Sequence, residues 1–183
     1  KQKIIIRIIQ LMNVLFLVYL YAHQLGDLKN IVVINDEFGY WGIAAKFANK
    51  DWSSLLATTP YYSYGYSFII YLLYMINVSN TYMYTFVIII NIIFVLVTYF
   101  LSLKVCKKMF PKLSTYAVLF ICLLIAVYPN TLFQSQIAWA ETFLYFLYWL
   151  CLYFVVRLSE NLKHIGSWLG FITSTVLLYG VHQ

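Results

Sequence analysis

From Asp51 to Lys104 the chain carries no charged side chain between the two, and its last part, 82–103, is a run of Ile, Val, Leu and Phe as long as a membrane is thick. A helix needs about 20 predominantly apolar residues to cross the hydrocarbon core. Segments 4–25, 114–130 and 139–156 also meet or approach that length, and 166–181 forms a shorter fifth candidate. Of the 183 residues 63% are hydrophobic and 10% charged, with a mean hydropathy of +0.81, against about 25% charged in a soluble domain. The expected fold class is therefore all-α, a polytopic transmembrane helical bundle.

The first span opens with Lys1, Lys3 and Arg7 and has no small-residue cleavage pattern, so it reads as a retained signal-anchor. The chain lacks an initiator Met and ends within an apolar stretch, and is read as the N-terminal part of something longer. Segment 66–78 is apolar but too short to cross, which suits an interfacial or re-entrant helix. Charge supports the same assignment. If 66–78 stays on one side, Lys1, Lys3, Arg7, Lys104, Lys107, Lys108, Lys112, Arg157 and Lys163 all fall inside, nine of the 12 basic residues. Counting it as a span would move the 104–112 cluster outside, against the positive-inside rule. The expected location is the cell membrane, multi-pass, with a cytoplasmic N-terminus, an external 26–81 segment and a short external turn at 131–138. That external side holds or borders Asp27, Asp36, Glu37, Asp51 and Glu141.

The net charge of +6 is explained by this topology, and no nucleic-acid partner is expected. Cys106, Cys122 and Cys151 are irregularly spaced and suit neither a disulfide framework nor a metal cluster. No nucleotide-binding glycine fingerprint, phosphate-binding loop or nucleophile elbow is present. The basic cluster at 104–112 marks the cytoplasmic edge and its anionic lipids, while Asn91, Asn130 and the Ser and Thr of the apolar runs read as interhelical hydrogen-bonding groups.

A connection of this length between spans usually carries structure or function. Phe38, Trp41, Ala45, Ala48 and Trp52 recur at helical spacing, with Lys46 and Lys50 on another face, so an amphipathic helix on the membrane surface is expected over 37–52. Asn35 or Asp36 would cap it and Glu37 would complement its dipole. A turn through Pro60 then leads into the short helix.

The anchor, the sequence Asn35-Asp36-Glu37-Phe38-Gly39-Tyr40, the amphipathic helix, and Thr59-Pro60-Tyr61-Tyr62-Ser63-Tyr64-Gly65-Tyr66 ahead of a short apolar helix together resemble the opening of integral-membrane C-type glycosyltransferases. The nearest relatives on this reading are the protein-mannosyltransferase and lipid A aminoarabinose-transferase superfamily, which take sugars from polyprenyl-phosphate carriers. The resemblance implies an acidic pair at the start of the first external loop, matched by Asp36 and Glu37, and an acid after a Pro-marked turn, matched by Glu141 after Pro129-Asn130. Such families often show two prolines in the first-loop turn; here Pro60 stands alone.

On this resemblance Asp36 would take the acceptor's proton or orient the acceptor, and Glu37 would assist or hold a cation. Both residues equally suit the start of a helix. Glu141 lies near the external end of its span, either as an intramembrane functional acid or as an interfacial Glu touching headgroups. A leaving phosphate calls for cations, for which Lys46, Lys50 and His182 are the candidates, and Tyr61, Tyr62, Tyr64 and Tyr66 could stack on sugar, although aromatic belts account for most such residues. The partners would be the lipid-linked donor, a lipid, glycan or protein acceptor, and membrane lipids. No cofactor is fixed by the sequence, and a divalent metal is compatible with it. The function expected is an inverting transferase, the alternatives being a transporter or flippase, or a non-catalytic membrane component of polysaccharide assembly.

Overall fold

The computed structural model describes residues 2–23, 25, 26, 35–53 and 64–182, and of residues 35, 36 and 182 the backbone alone. Among the described residues the secondary structure is helical throughout, in the order α1 (Gln2–Ala22), α2 (Asn35–Phe47), α3 (Tyr64–Met75), α4 (Asn80–Met109), α5 (Thr115–Ala126), α6 (Pro129–Ser135), α7 (Ala140–Glu160) and α8 (Ile165–His182). Three of these, α1, α4 and α7, are long and apolar enough to cross a membrane, and α5 with α6 makes a fourth if the bent pair is one span. The chain is thus a helical protein of membrane-spanning character.

Helix α4 is the mast of the bundle. Its 30 residues contain no Gly or Pro, which lets it run unbroken for about 45 Å. Val87, Ile88, Val95 and Tyr99 are buried along it, against α1 and α5 on one side and α7 on another. Helix α7 turns back through 161–164 into α8, where Gly170 lets the Phe154 ring sit so close that a Cβ would come within 2.2 Å of it. At 12 residues α3 reaches about 18 Å, well short of the roughly 30 Å core, as its length in sequence predicted.

Helices α2 and α3 end alike. The Lys50 N–H bonds the Ala45 carbonyl at 2.8 Å and the Asn49 N–H that of Lys46 at 3.1 Å; the Val78 N–H bonds Leu73 at 3.1 Å and the Asn77 N–H bonds Tyr74 at 3.0 Å. Asn49 and Asn77 have φ of 54° and 55°, the left-handed position that closes a helix with paired back-bonds. This corrects the helix expected over 37–52: it stops at Phe47, so Trp52 and Lys50 lie beyond it. Its setting also differs from a surface helix. Glu37, Tyr40, Trp41, Ile43, Ala44 and Ala45 are all buried. Helices α2 and α3 pack against each other, with the Tyr40 ring meeting that of Tyr66.

The expected span at 114–130 is broken. Ser114 caps α5 by accepting from the Ala117 N–H at 3.2 Å. The helix then ends at Val127, because Pro129 disfavours the helical conformation at the residue before it, and Tyr128 is extended at φ −56°, ψ 130°. Pro129 instead starts α6, a position that suits its missing N–H, and the two helices meet at a bend of 50°. The stretch expected as a turn at 131–138 accordingly holds the rest of α6 and a non-helical linker, 136–139.

Candidate functional site

The linker poses a problem of physical chemistry. Ile137, Ala138 and Ala140 are buried, and while the N–H groups of Gln136, Ile137 and Trp139 bond carbonyls two or three residues back, the Ala138 N–H finds no local partner. Irregular backbone at membrane depth persists only where protein satisfies its polar groups. Here side chains from elsewhere do so. The Ala138 N–H donates to Glu37 Oε1 at 2.8 Å, and Asn91 Nδ2 donates to the Ile137 carbonyl at 2.9 Å and to that of Ser135 at 3.4 Å. Tyr84 Oη donates to the same Glu37 Oε1 at 2.8 Å and lies 3.4 Å from the Gln136 carbonyl. Gln136 Nε2 in turn donates to the Tyr21 carbonyl at 3.1 Å, and the Tyr21 hydroxyl donates to the Ala126 carbonyl.

Tyr66 joins this network from α3. Its hydroxyl donates to Asn91 Oδ1 at 3.0 Å, and its ring takes an edge contact from Tyr40 with centroids 5.4 Å apart. Burial raises the Tyr66 phenol well above the ordinary tyrosine range, the bond to Asn91 works the other way, and the negative fields of Glu37 and Glu141 add to the rise. Both carboxyls therefore act on one hydroxyl. The site lies at the end of the bundle where α1 finishes, α4 and α7 begin, and α2 is packed.

Glu37, which the sequence offered as an assisting or cation-holding acid, is fully buried and holds the linker through Tyr84 and Ala138. Glu141 is half-buried in the first turn of α7, three residues beyond that amide. Asp36 is in the first turn of α2, directly before Glu37, and its side chain lies outside the described residues. Lys46 is exposed in the last turn of α2, Lys50 is exposed past its end, and Tyr64 is 51% exposed at the start of α3. Tyr61 and Tyr62, like the side chain of His182, fall outside the described residues. Asp51 holds a local turn, accepting from the Ser53 hydroxyl at 2.7 Å and its N–H at 3.0 Å, and these bonds lower its carboxyl below the usual range.

Asn91 behaves as the interhelical group that its position in an apolar run suggested. Tyr66, a stacking candidate in the sequence, is instead fully buried with its hydroxyl on Asn91, and Tyr84 and Gln136 carry no sequence signal of their own. A buried amide in an uninterrupted apolar span is the signal that something polar must face it, but the partner sits 46 residues away on a backbone carbonyl. Among the described residues no three His, Cys, Asp or Glu side chains group as metal ligands would.

The fold and this end of it define an all-helical bundle, with three or four helices apolar and long enough to cross a membrane, and a buried polar knot around a broken helix. No family model, no curated protein and no solved structure matches the chain.

Proposed function

We propose that the chain transfers a sugar from a polyprenyl-phosphate-linked donor to an acceptor at the outer face of the membrane. The observation that supports this reading is the bond from Glu37 to the Ala138 N–H. It ties the acidic start of the first long loop to the segment that leads into Glu141, so carboxylates about a hundred residues apart share one end of the bundle. In this scheme Asp36 is the base. As the acceptor oxygen bonds the anomeric carbon, its proton passes to the Asp36 carboxylate, and the bond from that carbon to the carrier phosphate breaks, the phosphate leaving with the electron pair. Attack opposite the leaving group inverts the sugar. Glu37 positions its neighbour by anchoring α2, and Glu141, more accessible than Glu37, orients the acceptor.

In membranes containing the full-length protein, Asp36→Asn should lower transfer from lipid-phosphate sugars by at least about 100-fold, the usual range for losing a general base, with expression and insertion unchanged. Turnover at the normal rate would reject the proposed base. The break between α5 and α6 favours a second reading, transport of lipid-linked material, since interrupted helices commonly line translocation paths. It predicts movement of the intact lipid across the bilayer with no new glycosidic bond.

A further inference from the structure

We propose that the groove between α1, α4 and α5, at the end of the bundle opposite the carboxylates, binds the phosphate of an anionic phospholipid. The groove encloses about 280 Å³ and is lined by Lys3, Arg7 and Gln10 of α1, Lys107 of α4 and Thr115 of α5. Three cations from two helices thus converge with an amide and a hydroxyl. No acid lines the groove, and among the described residues none of the three cations has an ion-pair partner, the pair that forms at this end being Lys108 with Glu160.

A neighbouring groove provides the contrast. It is larger, about 470 Å³, and is also basic, but Glu160 lines it beside Lys108, and Lys104 is engaged over the Tyr153 ring at 5.2 Å. Its charge is partly spent within the protein. In the first groove the arginine fork and two ammonium groups are left for an outside anion, and a guanidinium matches a phosphate with paired hydrogen bonds.

The surroundings make that anion a lipid. The floor is apolar, including Leu103 and Leu119, and the walls continue onto outward faces where Ile4, Ile8 and Leu11 of α1 and Phe120 of α5 are exposed. A headgroup seated among the cations would leave its chains along those faces. The volume falls at or below the small end of ligand clefts, about 300–1,000 Å³, which suits a headgroup with its tails outside. Basic pockets between spanning helices are a recurrent form of such sites.

The test uses the full-length chain in neutral detergent, titrated with phosphatidylglycerol or phosphatidylcholine and followed by native mass spectrometry and thermal melting. Phosphatidylglycerol should appear as a retained adduct and raise the melting temperature; phosphatidylcholine should do neither. Arg7→Gln and Lys107→Gln should each weaken binding about 5-fold, and together about 30-fold, while Lys163→Gln, an exposed cation of the same end outside both grooves, should leave it unchanged. Arg7→Gln alone decides the matter should the Lys107 variant not fold, since Arg7 is exposed on α1. Equal binding of the two lipids, or an equal loss in Lys163→Gln, would overturn the proposal. So would protection by inorganic phosphate at the same concentration, which would make the ligand a soluble anion.

Discussion

The two ends of this bundle handle charge in opposite ways. At one end Glu37 is wholly buried and bonded to α4 and to the linker before α7, and its field meets that of Glu141 at one tyrosine. At the other end Lys3, Arg7, Lys104, Lys107, Lys108 and Arg157 are exposed around open grooves, and Glu160 answers Lys108 there. A charge-bearing group can be kept inside a membrane bundle when it solves a backbone problem that nothing else solves, and the broken helix at 127–139 creates that problem. Where the backbone is regular to its end, as in α4, side-chain charge can stay at the surface and remain open to partners.

Substitution at each end can break this contrast. Glu37→Leu should have the largest effect, about 3–5 kcal/mol, because it leaves the buried Ala138 N–H with no acceptor and the buried Tyr84 hydroxyl with only the long contact to the Gln136 carbonyl at 3.4 Å. Glu37→Gln keeps an oxygen in place and should cost less than half as much. Reversible unfolding in detergent, or steric trapping in bilayers, would measure both, and a loss below about 1 kcal/mol for the leucine variant would mean that the linker does not depend on this side chain. Next comes Asn91→Leu, expected at about 1–2 kcal/mol, the upper range for hydrogen bonds between spanning helices. It should also shift the Tyr66 ring environment, readable by near-ultraviolet circular dichroism. Glu160→Gln should have the smallest effect, within about 1 kcal/mol and vanishing in high salt, because its side chain and that of Lys108 are 40% and 55% exposed. A larger, salt-resistant loss there would erase the difference between the ends.

Much of the fold was legible because hydropathy adds up residue by residue: the spans expected over 82–103 and 139–156 fall on helices longer than themselves, and that over 4–25 is a helix from Gln2 to Ala22. The helix ends were less so. Asn49 and Asn77 stop α2 and α3 by adopting a left-handed conformation, which nothing in an isolated Asn announces when spacing alone carries the helix on to Trp52. Pro129 was visible in the sequence but read as marking a turn, whereas it both ends α5 and starts α6. Of the site, the acids and Asn91 were readable as residue types that need a reason to be there. Their partners were not, since two are backbone groups of the linker, whose hydrogen-bonding need arises only after the helix breaks.

The linker's dependence on distant side chains also bears on the order in which the molecule is made. Its amide at Ala138 waits on an acceptor 101 positions earlier, and its carbonyl at Ile137, which accepts locally from the Trp139 N–H, takes a second donor from 46 positions earlier. Synthesis runs from the N-terminus, so Glu37, Tyr84 and Asn91 have all left the ribosome before 136–139 emerges. The kinked segment finds its partners already at hand. A permuted gene that placed α7 ahead of α2 would send the same kink into the bilayer with none to receive it.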